Sequence, residues 1–110
     1  MVVSLRMSRI ETLKGFIAQR PQDPFPRYAL ALEYKNADRL EEARQTFDAL
    51  MDAHPDYTAA YLHAGNTLLA LGRRADARTV YQRGVEACAR AGDAHARGEL
   101  EGALASLPAD

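Results

Sequence analysis

Pro21 and Pro55 stand 34 residues apart, and their neighbours keep the same spacing. Leu13 returns as Phe47, Ala31 as Gly65, Tyr34 as Leu68, Ala43 as Ala77 and Phe47 as Tyr81. Self-similarity at this period marks stacked helix-turn-helix units, each too small to bury its apolar face alone. Such an architecture presents function on an extended surface rather than in a deep pocket.

Gly, Pro and Asp divide the chain into short helical segments, and no β-branched run reads as a strand. A first helix is expected over Ser8–Arg20, where Ile10, Leu13, Phe16 and Ile17 share one face. Ser8 and Glu11 have the spacing of a capping box. Pro21, Pro24 and Pro26 stop that helix. The second is expected from Pro26 to Asn36, Pro26 being tolerated in a first turn. A third spans Leu40–Ala53 and ends at His54-Pro55; a fourth spans Thr58–Leu71 and stops at Gly72. A fifth spans Ala75–Arg90 and stops at Gly92. Asp93 is placed to cap a sixth, Ala94–Leu107, which Pro108 closes. The predicted fold is all-α, about six short helices stacked as antiparallel pairs.

Arg27 to Pro55 reads R-x2-L-A-x2-Y…A-x3-F…P through Leu30, Ala31, Tyr34, Ala43 and Phe47. Tyr61 to Ala89 reads Y-x2-A-G-x2-L…A-x3-Y…A through Gly65, Leu68, Ala77 and Tyr81, with Ala89 in the place of the proline. Together with the Leu40–Ala43 segment, L-E-E-A, this strongly resembles the tetratricopeptide repeat family. The resemblance implies a right-handed helical solenoid in one domain. Residues 8–21 would be an N-terminal half-repeat helix, 24–57 and 58–91 two repeats, and 93–107 a capping helix. Arg9 falls where Ala43 and Ala77 stand. On the last helix Ala96, Leu100, Ala103, Leu104 and Leu107 form an apolar stripe, with Arg97, Glu99 and Glu101 mostly off it. Independently of the family, Ala31, Gly65, Ala43 and Ala77 leave room for helix backbones to approach, and Tyr34, Phe47, Leu68 and Tyr81 fill the space between.

In the family, the first helix of each pair lines a concave face that holds a protein segment. The resemblance therefore implies Phe25, Tyr28, Leu32 and Lys35 in the first repeat as partner-binding positions. It implies Leu62, Asn66 and Leu69 in the second, with Arg97 closing the groove. This surface suits an apolar or amphipathic segment, with Asn66 and Arg97 available to peptide backbone or a carboxylate. Family members that clamp chaperone C-termini carry Lys and Asn at positions held here by Tyr28, Leu32, His63 and Asp93; only Arg97 matches. The expected function is a non-catalytic protein-interaction module, scaffold or adaptor. The alternative is a homo-oligomer, such as a homodimer, that uses the same apolar surface for self-association.

The 110 residues carry a net charge of −1, and no basic block is interleaved with aromatics, so neither nucleic acid nor a membrane surface is an expected partner. The one cysteine, Cys88, excludes an internal disulfide and fits a reducing compartment. Met1 to Leu5 is too short for a secretory signal, and no stretch has the length of a membrane span, so a cytoplasmic location is expected. Met7 is an alternative start. Arginine outnumbers lysine 12 to 2 and alanine is abundant, which suits a GC-rich bacterial genome. His54, His63, His95 and Cys88 lie in separate segments without metal-ligand spacing, so no metal or cofactor is expected. No nucleophile elbow or phosphate loop is present, and Glu41 and Glu42 suit pairing with Arg39 or Arg44 rather than acid/base catalysis.

Overall fold

The structure, a computed structural model, describes residues 2–109, with side chains from residue 9 onward. These residues form six α-helices and no strand: α1 (Val2–Gln19), α2 (Pro24–Asn36), α3 (Leu40–Ala53), α4 (Ala59–Ala70), α5 (Arg74–Ala91) and α6 (Ala94–Ser106). Each helix packs on the next, and α2 also meets α4 while α4 meets α6. Even-numbered helices thus share one side of a stack measuring 42 × 28 × 20 Å.

Two helix starts differ from expectation by more than one residue. α1 already begins at Val2, so Ser8 stands inside a helix and not at its N-cap. No Gly or Pro between Val2 and Ser8 breaks upstream propagation. The Ser8 side chain and Met1 lie outside the described residues. α2 begins at Pro24 rather than Pro26, because Asp23 caps it and accepts a hydrogen bond from the Phe25 N–H at 3.1 Å. Both prolines fit the first turn, where no intrahelical acceptor is lost.

The 34-residue echo is written into the backbone. Asp38 (φ 61°) and Gly72 (φ 78°) occupy the same left-handed place in the turns after α2 and α4. One residue on, the Arg39 N–H donates to Tyr34 O at 2.9 Å and the Arg73 N–H to Leu68 O at 2.8 Å. Each turn so closes a helix and reverses the chain at once.

Packing follows the small–large pattern. Ala31, Ala43 and Ala77 are fully covered, and Phe47, Tyr81 and Tyr61 are among the largest wholly buried side chains. A β-carbon on Gly65 would stand 2.6 Å from Tyr81 Cδ1, so only glycine admits the ring there. Gly84 occupies the place that Leu50 holds one period earlier. A β-carbon there would meet Tyr61 Cβ at 2.6 Å and Leu100 Cδ1 at 2.8 Å. Leu100 is the buried anchor of α6, and Ala96, Ala103, Leu104 and Leu107 pack partly against the core beside it. Arg9, at the alanine place of α1, is exposed and reaches Glu33 of α2 at 3.2 Å.

Candidate functional site

Where α2, α4 and α6 run side by side they enclose an open cleft of about 240 Å³, lined by Tyr28, Thr58, Ala59, Leu62, His63, Ala96, Glu99 and Leu100. Its apolar floor comes from Tyr28, Leu62 and Leu100. The Tyr28 ring lies 5.5 Å from that of Tyr57, tilted by 58°, and 6.0 Å edge-on from the imidazole of His63. These contacts lock three rings from two helices and the preceding loop into one wall. Burial raises the phenol pKa values of Tyr28 and Tyr57, so both present neutral hydroxyls.

The polar groups of the cleft are few and tuned. His63 is pushed below its ordinary pKa, first by burial and then by the Lys35 ammonium, with Glu99 opposing. It is therefore neutral at neutral pH. Burial also lowers Lys35. At the mouth, the Thr58 hydroxyl donates to Asp93 Oδ2 at 2.6 Å, while Asp93 Oδ1 accepts from the Ala96 N–H at 3.1 Å. These two bonds hold the Asp93 carboxyl below the usual carboxylate range. One carboxylate thus caps α6 and ties it to the start of α4, fixing the width of the cleft.

The eight positions expected to bind a partner are spread over two hollows and the helix surfaces beside them. Tyr28 and Leu62 line the cleft, and Lys35 acts on it through His63. Leu32 packs partly against the core. Asn66 is half-buried, and its Oδ1 accepts the Tyr81 hydroxyl at 2.5 Å, so its carbonyl is used internally. Leu69 is exposed at the far end of α4, and Arg97 is exposed on α6, paired with Glu101 at 3.7 Å. Phe25 lies elsewhere. It joins Leu13, Phe16, Gln19, Arg20, Asp23 and Pro26 around a second hollow of about 340 Å³ between α1 and α2. Conversely, Thr58, His63 and Glu99 enter the cleft without having been expected there. The one signal for Glu99 was its place beside Leu100 at the edge of the α6 stripe.

Elsewhere the charges pair locally. Arg39 grips Glu42 through two bonds of 2.7 and 2.6 Å, and Arg44 joins Glu41 and Asp48. Both glutamates are held below their usual pKa, chiefly by those hydrogen bonds. Cys88 is buried, and burial raises its thiol pKa. Among the described residues no group of three or more His, Cys, Asp or Glu could hold a metal ion, and no helix is long and apolar enough to cross a membrane.

Residues 36–97 match the family model described as tetratricopeptide repeat. A tetratricopeptide repeat domain protein from Salinibacter ruber, solved in solution, is 36% identical over 79% of this chain and 88% of its own, with a TM-score of 0.75. The crystal structure of the Salinibacter ruber domain gives 35% identity, coverages of 77% and 96%, and a TM-score of 0.74. A protein from Bordetella parapertussis is 30% identical over 89% of this chain and 85% of its own, with a TM-score of 0.76. No curated protein matches the chain.

Proposed function

Because the chain belongs to the tetratricopeptide repeat family, we propose that it is a non-catalytic adaptor gripping a short apolar or amphipathic protein segment in the cleft between α2, α4 and α6. In this reading residues 24–57 and 58–91 are its two repeats, 8–21 a preceding half-repeat, 93–107 a capping helix, and its working place the cytoplasm. The observation that carries the proposal is the cleft itself: Tyr28, Leu62 and Leu100 form an apolar floor beside one neutral imidazole and one carboxylate. Apolar side chains of a bound segment would replace water against that floor, and His63 and Glu99 would fix its orientation through hydrogen bonds. Lys35, Asn66, Leu69 and Arg97 would extend the contact only for a longer segment.

The test is capture of partners from the native host with the wild-type chain, then mapping of the bound segment. Tyr28→Glu and Leu62→Glu should each weaken binding of that segment by roughly tenfold or more, since each puts a charge on an apolar floor. Binding unchanged in both folded variants would move the site elsewhere.

A further inference from the structure

Among the described residues Phe16 and Phe25 are the most exposed large apolar groups, 49% and 61% exposed. They stand together with Leu13 and Pro26 around the hollow between α1 and α2, rimmed by Gln19, Arg20 and Asp23. One period later the place of Phe16 is held by Leu50, which is completely buried because α3 has α2 on one side and α4 on the other. Among the described residues α1 packs on α2 alone. Phe16 thus occupies a position that the repeat covers when a second helix is present, and a phenyl ring left there is a strong apolar anchor.

We propose that this edge is the contact of a twofold dimer of the chain, α1 and Phe25 of one copy packing on the same elements of the other. The rim identifies the occupant. It carries one cation, Arg20, and one carboxylate, Asp23, so it offers no net charge to a strongly acidic or basic partner. A twofold contact centred on the hollow would bring Arg20 of each copy towards Asp23 of the other, because both residues sit on its rim. The Arg20 guanidinium makes no hydrogen bond or ion pair among the described residues, and Asp23 spends only Oδ1 on capping α2. A head-to-tail contact would need a different apolar surface to receive Phe16. The opposite end does not supply one: α6 turns Ala94, Gly98, Gly102 and Ala105 outward and exposes no large apolar side chain among the described residues. A patch that packs on its own copy makes an isologous interface, which closes at two copies. α1 is about 27 Å long. Covering roughly a tenth of the 6362 Å² surface on each copy would put the contact at the small end of specific interfaces. The dimer is accordingly reversible and concentration-dependent.

Sedimentation velocity on the full chain from low micromolar to millimolar concentration is the test. The expected result is a monomer–dimer equilibrium that stops at two copies and weakens with added salt. Phe16→Glu and Phe25→Glu should each raise the dissociation constant by about thirtyfold or more, the loss typical of a central aromatic anchor. Arg20→Glu, which places two carboxylates against each other, should raise it as well. Circular dichroism confirms folding of each variant; if Phe16→Glu unfolds, the more exposed Phe25→Glu decides. A strictly monomeric wild type overturns the proposal, as does growth beyond a dimer or a dimer indifferent to a folded Phe16 or Phe25 variant. So do amide shifts on dilution that fall in the Tyr28–Leu62 cleft, or a monomer that takes up another protein's helix at Phe16. Only shifts in the cleft would bear on segment binding there; the other outcomes leave that reading untouched.

Discussion

A methyl group at position 65 would collide with Tyr81, a side chain only 1% exposed whose hydroxyl is tied to Asn66. The ring has nowhere to swing, so Gly65→Ala should destabilise by about 1–3 kcal/mol through overpacking. Urea denaturation checks this: the midpoint falls while the slope stays unchanged. The residue was legible as a small-residue place from its echo in Ala31, but its intolerance of even alanine was not, because that depends on how closely α5 approaches. His63 makes a second prediction at this scale. Its folded pKa lies below the unfolded value of about 6.5 because the interior and Lys35 disfavour the imidazolium. The unfolded chain therefore binds more protons as pH falls through that window, and stability present above it is lost on acidification. Melting temperature should drop from neutral pH towards the folded pKa, and His63→Leu should flatten part of that slope. A variant with the wild-type slope would remove His63 from the account.

The helices and turns were legible to within a residue or two wherever a breaker marked them. Asn36-Ala37-Asp38 and Gly72 end α2 and α4 as expected, and Asp93 caps α6. The start of α1 was not legible, since a capping-box spacing inside a helix looks the same as one at its end. The paired turns allow a sharp test. Position 72 needs a positive φ, so Gly72→Ala should cost about 1–2 kcal/mol, whereas Asp38→Gly, at the equivalent place, should not destabilise. Paired thermal or urea melts of the two variants decide; equal effects would mean that the turns are not equivalent.

Two surfaces distinguish the whole molecule: the cleft across α2, α4 and α6, and the aromatic edge of α1 and α2. Sequence reasoning merged them, because Phe25 and Tyr28 are three residues apart on one helix. The structure separates them because Phe25 sits in the first turn of α2 beside α1, while Tyr28 turns towards Tyr57 and His63. Phe16→Glu should therefore leave segment binding intact, and Leu62→Glu should leave self-association intact. Measuring both activities on both variants shows whether the surfaces act independently.

What the chain determined by itself is local and periodic. Proline, glycine and aspartate mark where helices begin and end, and a 34-residue spacing of small and aromatic residues dictates that those helices stack. Tertiary packing alone decided which side chains meet. Leu100 seats against Gly84, and Thr58 reaches Asp93, so α6 lies beside α4 with Glu99 facing His63 across the cleft. Residues from segments far apart in sequence are brought together by close contact between surfaces, which no spacing along one chain encodes.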